Sequence, residues 1–166
     1  MAVERTTSPR RFAYYGAIMT AALGLIPGGG HVLEMPPRLL YEPELYMTVT
    51  STMYSMYGAV GAVIQIFAVT MGALLAILLR GTPAFRASLL GTALLGLSIL
   101  IWFTVVGPVN AEWMEALARD RAAAVEAYAA LRSRWEYGHL AAFAAWFAGF
   151  SVILWSVFLH PPRPAT

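Results

Sequence analysis

Two short motifs pair a histidine with a carboxylate at a spacing of three: His31-Val32-Leu33-Glu34 and Glu136-Tyr137-Gly138-His139. On a helix that spacing stacks both side chains on one face. Two imidazoles and two carboxylates brought to one level support three chemistries. One is a metal centre with ligands His31, Glu34, Glu136 and His139. Oxygen and nitrogen donors of this kind suit iron, manganese, zinc or copper, and Glu-x-x-His pairs on two helices form part of the ligand set of dimetal bundles. A dimetal site needs further carboxylates from the other helices, and the remaining apolar segments supply none in their cores. A single iron or copper ion is therefore the form expected. The second chemistry is a haem held as cofactor between His31 and His139. The third uses no cofactor, with histidine as general base and glutamate as its orienting partner.

Other groups flank the pairs. Arg134 and Asn110 can stabilise a developing oxyanion. Arg38, Tyr54, Tyr57 and Trp135 are candidates for binding substrate. The remaining tryptophans and tyrosines of the outer segments, Trp113 and Tyr137 among them, read as interfacial belt residues. His160, beside prolines at the other end, lies apart from the site. The chain contains no cysteine and all eleven of its basic residues are arginine, which excludes disulfides, thiolate metal sites and Schiff-base chemistry on the protein.

The elements that must position these residues are membrane helices. Hydrophobic residues make up 59% of the chain and charged residues 12%, about half the charge of a soluble domain. The apolar residues fall in four blocks, about 12–32, 56–79, 85–106 and 140–159, each near the ~20 residues that cross a bilayer. No Ala-x-Ala pattern follows the first block, so it reads as a retained span rather than a signal peptide. Two polar connections remain, 34–55 and 107–136. Met35-Pro36-Pro37 is expected to end the first helix. Pro43 opens a helix that runs into the second span. Asn110 is a candidate N-cap for a solvent-exposed helix to Arg134. Gly28-Gly29-Gly30 and Pro27 predict a bent or unwound outer end of span one. The other glycines of the spans, Gly58, Gly61, Gly72, Gly91, Gly96, Gly138 and Gly149, read as helix-packing positions.

Arginine placement orients the bundle. The N-terminus, the turn at 80–86 and the tail carry six arginines against one acid, a net +5. The two long connections carry five arginines against eight acids, a net −3. The expectation is an all-α, four-helix bundle in a bacterial-type inner (plasma) membrane. It is a single multi-pass domain with both termini cytoplasmic and a partly helical extracytoplasmic cap. Both His/Glu pairs then face outward. A net charge of +2 and the lack of a basic patch exclude nucleic acid as a partner. The partners expected are the lipid bilayer and a lipophilic small molecule, with self-association or a larger membrane complex left open.

His31-x-x-Glu34-x-Pro36, a second helix rich in tyrosine and threonine, Pro108-Val109-Asn110 and Arg134-Trp135-Glu136-x-x-His139 together resemble the anthrone oxygenase-like family of small four-span membrane proteins. The layout covers nearly the whole chain, and the specific motifs amount to about ten positions. The resemblance implies oxygenation of an anthrone to an anthraquinone, and by position it implicates His31, Glu34, Asn110, Arg134, Trp135 and His139. It also implies an arginine soon after the second histidine, where this chain has Leu140-Ala141-Ala142-Phe143, so the substrate is left open. The function expected is a membrane-embedded, oxygenase-type oxidoreductase acting on a lipophilic aromatic or quinol-type molecule. The rival reading is a non-catalytic accessory or scaffold subunit of a larger membrane complex.

Overall fold

A computed structural model describes residues 9–159. Its elements are all helical: α1 (Pro9–Leu23), α2 (Leu25–Arg38), α3 (Pro43–Met53), α4 (Ser55–Leu78), α5 (Ala84–Ile101), a π-helical turn (Trp102–Val106), α6 (Gly107–Arg119) and α7 (Arg121–Ser156). Four helical rods are long and apolar enough to cross a membrane: Pro9–Arg38, Met56–Leu78, Ala84–Arg119 and Arg121–Ser156. The outer surface carries large apolar side chains such as Phe12, Leu33, Ile66, Leu100, Phe147 and Trp155, as expected where lipid takes the place of water.

Three rods run further than the apolar blocks. The 36 residues of α7, at about 1.5 Å per residue, reach ~54 Å against a hydrocarbon core of ~30 Å. The 107–136 connection is therefore no separate segment. It is the upper part of rods three and four, joined at Asp120, whose carboxylate caps α7 by accepting from the Ala123 N–H at 2.8 Å. Asn110 lies inside α6 and is not a cap.

The prolines explain the continuity. Each removes one i→i−4 hydrogen bond. Pro108 would have bonded the Thr104 carbonyl, and the π-helical turn around Thr104 absorbs the mismatch. Pro27 withholds a bond from the Leu23 carbonyl, and the chain there passes from α1 to α2 through Gly24. Gly28–Gly30 stay helical, so the break sits one turn earlier than their composition predicts. Pro36 and Pro37 do not end the first rod, which continues to Arg38. Pro43 does open a helix, but a bend at Tyr54 separates α3 from α4.

Packing is tightest between α5 and α7, and α1 packs on α4. At the α5–α7 crossing a Cβ on Gly149 would lie 2.8 Å from the Gly91 carbonyl oxygen and 2.9 Å from the Leu95 nitrogen. This is the close backbone approach that small residues permit in lipid. Gly72 and Gly138 are similarly crowded, whereas Gly58 and Gly96 face open space and do not serve packing. Arg10 Nε donates to the Leu78 carbonyl, and Tyr14 Oη to that of Ser156. These bonds gather the arginine-bearing ends of the rods at the end of the bundle away from His31 and His139.

Candidate functional site

His31, Glu34 and Arg38 stand at i, i+3 and i+7 on α2, one stripe of one face. On α7 the facing stripe is Trp135, Glu136 and His139. Because α2 packs on α7, the two stripes meet and form two distinct layers.

The outer layer is ionic. Arg38, 1% exposed, makes a fork with Glu136, also 1% exposed: Nε to Oε1 at 2.8 Å and Nη2 to Oε2 at 2.6 Å. Its Nη2 also donates to the His31 carbonyl at 3.0 Å, and Nη1 to Glu34 at 3.2 Å. The Tyr54 hydroxyl accepts from Arg38 and donates to Glu34. Tyr46 donates to Glu136 at 3.1 Å. Every acid is thus met by a cation or a phenol, as burial of charge requires. The Tyr46 hydroxyl is pushed up, by burial first and by the Glu136 carboxylate next. Burial and the hydrogen bond to Glu34 push Tyr54 up to about 12. Both phenols are proton donors at neutral pH. Arg132 fixes the layer from above, lying 4.4 Å over the Tyr46 ring and donating to the carbonyls of Leu39 and Tyr41.

The inner layer is aromatic. The His31 and His139 rings lie 4.0 Å apart between centroids, tilted by 36°. Tyr54 stacks on His31 at 4.6 Å, and Trp135 meets His31 edge-on at 5.0 Å and His139 at 4.2 Å. The Trp135 indole donates to Asn110 Oδ1 at 2.9 Å, which holds that amide with its NH2 free to face elsewhere. His139 Nδ1 lies 3.0 Å from the Trp135 carbonyl. A carbonyl only accepts, so Nδ1 carries the proton and Nε2 presents a lone pair.

This layer walls a cavity of about 370 Å³, within the range of small-molecule sites. His31, Thr50, Tyr54, Asn110, Trp135 and His139 line its outer part, and Gly24, Gln65, Ile99, Phe143 and Trp146 its floor. Trp146 reaches in because Gly24 has no side chain; a Cβ there would overlap the indole. Two buried polar atoms of lining residues, His31 Nδ1 and Thr50 Oγ1, have no hydrogen-bond partner among the described residues.

The sequence-derived candidates divide accordingly. His31, His139, Asn110, Tyr54, Tyr57 and Trp135 surround the cavity. Glu34, Glu136 and Arg38 stand behind it as a support for its wall, outside the cavity lining. Arg134 is exposed and takes no part in either layer. Trp113, expected at the membrane interface, is buried, stacks on Tyr128 at 4.1 Å and also lines the cavity, while Tyr137 is exposed. Thr50 and Arg132 carry no motif that would single them out. His160 lies outside the described residues.

The ligand sets expected for a metal or haem do not fit this arrangement. Among the described residues no group of three or more histidine and acidic side chains is placed to hold a metal ion. Arg38 occupies the place between the carboxylates that a cation would need. Two imidazoles bound across a haem iron, each nitrogen ~2 Å from the metal, would hold their centroids about 6 Å apart, and these rings are in face contact at 4.0 Å. What the inner layer offers is a free imidazole lone pair and hydrogen-bonding atoms in an apolar, aromatic chamber.

No protein-family model matches the chain, and no curated protein or solved structure matches it either.

Proposed function

We propose that this chain is a membrane-embedded oxygenase that acts without metal or haem on a lipophilic aromatic or quinol-type molecule bound against His31 and His139. The observation that carries the reading is the His31 and His139 ring pair, 4.0 Å apart, on the lining of an aromatic cavity. The resemblance to the anthrone oxygenase-like family names a reaction such a chamber could run. The bundle sits in a bacterial-type inner membrane with its arginine-rich end cytoplasmic, and the upper parts of α3, α6 and α7 form an extracytoplasmic cap around the site.

His139 is the general base. Its Nε2 takes a proton from a CH2 group flanked by aryl rings, next to a ring carbonyl, and the electron pair moves onto the carbonyl oxygen. His31 and the Asn110 amide stabilise that oxyanion. The resulting electron-rich carbon is oxidised by dissolved O2: it gains one oxygen atom as a new carbonyl and loses its two hydrogens, which leave with the second oxygen atom as water. Substrate carbon is oxidised and O2 is reduced, with no other reductant. Arg38, Glu34 and Glu136 keep the wall in place and do not touch the substrate.

The test is oxygen uptake and anthraquinone absorbance with anthrone as probe, for the purified protein in lipid nanodiscs against protein-free discs. Under 18O2 one labelled atom should enter the product. His139→Ala should lower the protein-dependent rate by about 10²-fold or more, the usual contribution of a positioned base. Turnover no faster than in protein-free discs, or full activity in a folded His31→Ala/His139→Ala double variant, would overturn the proposal.

A further inference from the structure

The cavity has a side opening. Around it, α2 packs on α7 and α5 on α7, but α4 packs mainly on α1 and α5. The α4–α5 contact includes the level of Gly72 and Thr92, toward the arginine-bearing end. Above that level α4 and the π-helical turn with α6 draw apart. Residues that both line the cavity and are exposed mark the gap: Gly58, Ala62 and Ile66 on α4, and Phe103 and Met114 opposite. Gly58, Ala62, Ile66 and Phe103 lie within the apolar blocks of their rods, and Met114 stands above them on α6. Between α4 and Phe103 the mouth therefore opens toward lipid.

Polarity inside the cavity is graded along the same axis. His31, Thr50, Tyr54, Asn110 and His139 line the outer part, and the floor is apolar except for Gln65 and Ser98. Tyr57, Trp102, Trp135 and Phe143 supply flat apolar walls. A hydroxyl both donates and accepts, so a phenol can pair with the Asn110 amide or His139 Nε2 while its ring lies against these walls.

We infer that the ligand is an alkyl-tailed phenol or quinol, taken sideways from the bilayer through the gap between α4 and α6, with its ring under His139 and Asn110 and its tail left in the mouth. This rests on reading the cavity as a substrate site. It adds the tail, the route and the head-up orientation. A chamber of about 370 Å³ holds a substituted ring but not a long chain as well, and the lateral mouth gives the chain an apolar exit. Asn110 is the specificity-determining residue for the head.

Binding alone tests this, independently of oxygenation. Full-length protein in nanodiscs is titrated with tritiated 4-nonylphenol, displaced by unlabelled 4-nonylphenol or by phenol at matched concentration in the bilayer. Saturable binding is expected, displaced by the tailed compound and at least tenfold less well by phenol. Asn110→Ala should weaken Kd at least fivefold. Gly58→Trp and Ala62→Trp, on the rim where a side chain meets open space or is exposed, should slow association at least tenfold. Leu89→Trp, exposed near the arginine-bearing end of α5, should leave it unchanged. Absence of saturable binding, unchanged association in both rim variants, or equal displacement by phenol, which would mark an aqueous source, would each overturn the inference. Saturable binding without anthrone turnover would refute the oxygenase reading and leave this one standing.

Discussion

Replacing Arg38 with methionine should be among the most damaging single changes in the chain, although Arg38 does not line the cavity. The substitution keeps an unbranched side chain of similar reach and removes the guanidinium. Glu136, 1% exposed, then loses both arms of its fork, at 2.8 and 2.6 Å, and keeps the Tyr46 hydroxyl at 3.1 Å. Removing one partner of a buried ion pair leaves an uncompensated charge and typically destabilises by about 3–5 kcal/mol. That corresponds to roughly a hundred- to several-thousand-fold in the folded-to-unfolded ratio. The exposed pair of Arg121 with Glu44, at 2.6 Å with side chains 68% and 65% exposed, provides the internal comparison. Exposed pairs contribute about 0–1 kcal/mol whatever their distance.

The assay is reversible unfolding in mixed micelles, followed by loss of helix signal, for Arg38→Met, Arg121→Met, Glu136→Leu and the Arg38→Met/Glu136→Leu double variant. Arg38→Met and Glu136→Leu should each fall well below the parent and Arg121→Met should stay near it. The double variant should regain part of the loss, because it removes the orphaned charge, giving a coupling of about 1–3 kcal/mol. Arg38→Met within 1 kcal/mol of Arg121→Met, or strictly additive single effects, would refute the claim that the outer layer is a coupled buried network.

Two further outcomes follow from the packing and from the phenols. Gly149→Val should destabilise by about 1–3 kcal/mol or more, because its Cβ would meet backbone atoms of α5 at 2.8 and 2.9 Å, while Gly96→Ala, facing open space, should be neutral or slightly stabilising; equal effects in the same micelle assay would remove the tight α5–α7 crossing. Tyr54 ionises at about 12 in the fold against 10.0 when unfolded, so the unfolded chain loses its proton first. The contribution to stability is complete below pH 10 and is lost as pH rises from 10 toward 12. Tyr54→Phe should flatten that alkaline decline, and an ultraviolet titration in which all eight tyrosines ionise together near pH 10 would contradict the buried phenol pair.

The number of rods and the common level of the two His/Glu pairs were legible in the sequence because both rest on helical periodicity and apolar length; that the pairs meet was not, because which helices pack together is a tertiary relation. Residues 31, 34 and 38 also form one stripe by spacing alone. Arg38 was singled out as a substrate ligand, and what hid its fork to Glu136 was Pro36-Pro37, read as a helix end. A proline forbids one backbone bond each time, and a helix with lateral packing can lose that bond and continue, as α2 does to Arg38 and as the π-helical turn allows before Pro108. Arg134 drew attention by adjacency to Trp135 and Glu136, but it lies five residues before His139, about 140° around the helix, and points off the shared face. The cavity itself was not readable. It depends on α4 and α6 drawing apart above Gly72, a tertiary relation that no local pattern encodes.

The separation of the two layers also decides which chemistry the cavity can run. Free carboxylates beside the imidazoles would draw a cation or hold a protonated histidine by charge, and either would occupy the lone pair that a base needs. Arg38 prevents this by engaging Glu34 and Glu136 on the far side of the wall. The same side chain joins α2 to α7 and, through Tyr54, to the junction of α3 and α4. The wall bearing His31 and His139 is thereby held where the ring would react, and the opposite side of the chamber, between α4 and α6, carries no comparable tie among the described residues. For the proposed reaction and route, a site fixed on one side and open on the other would hold its base in position while the ligand entered and left through the membrane.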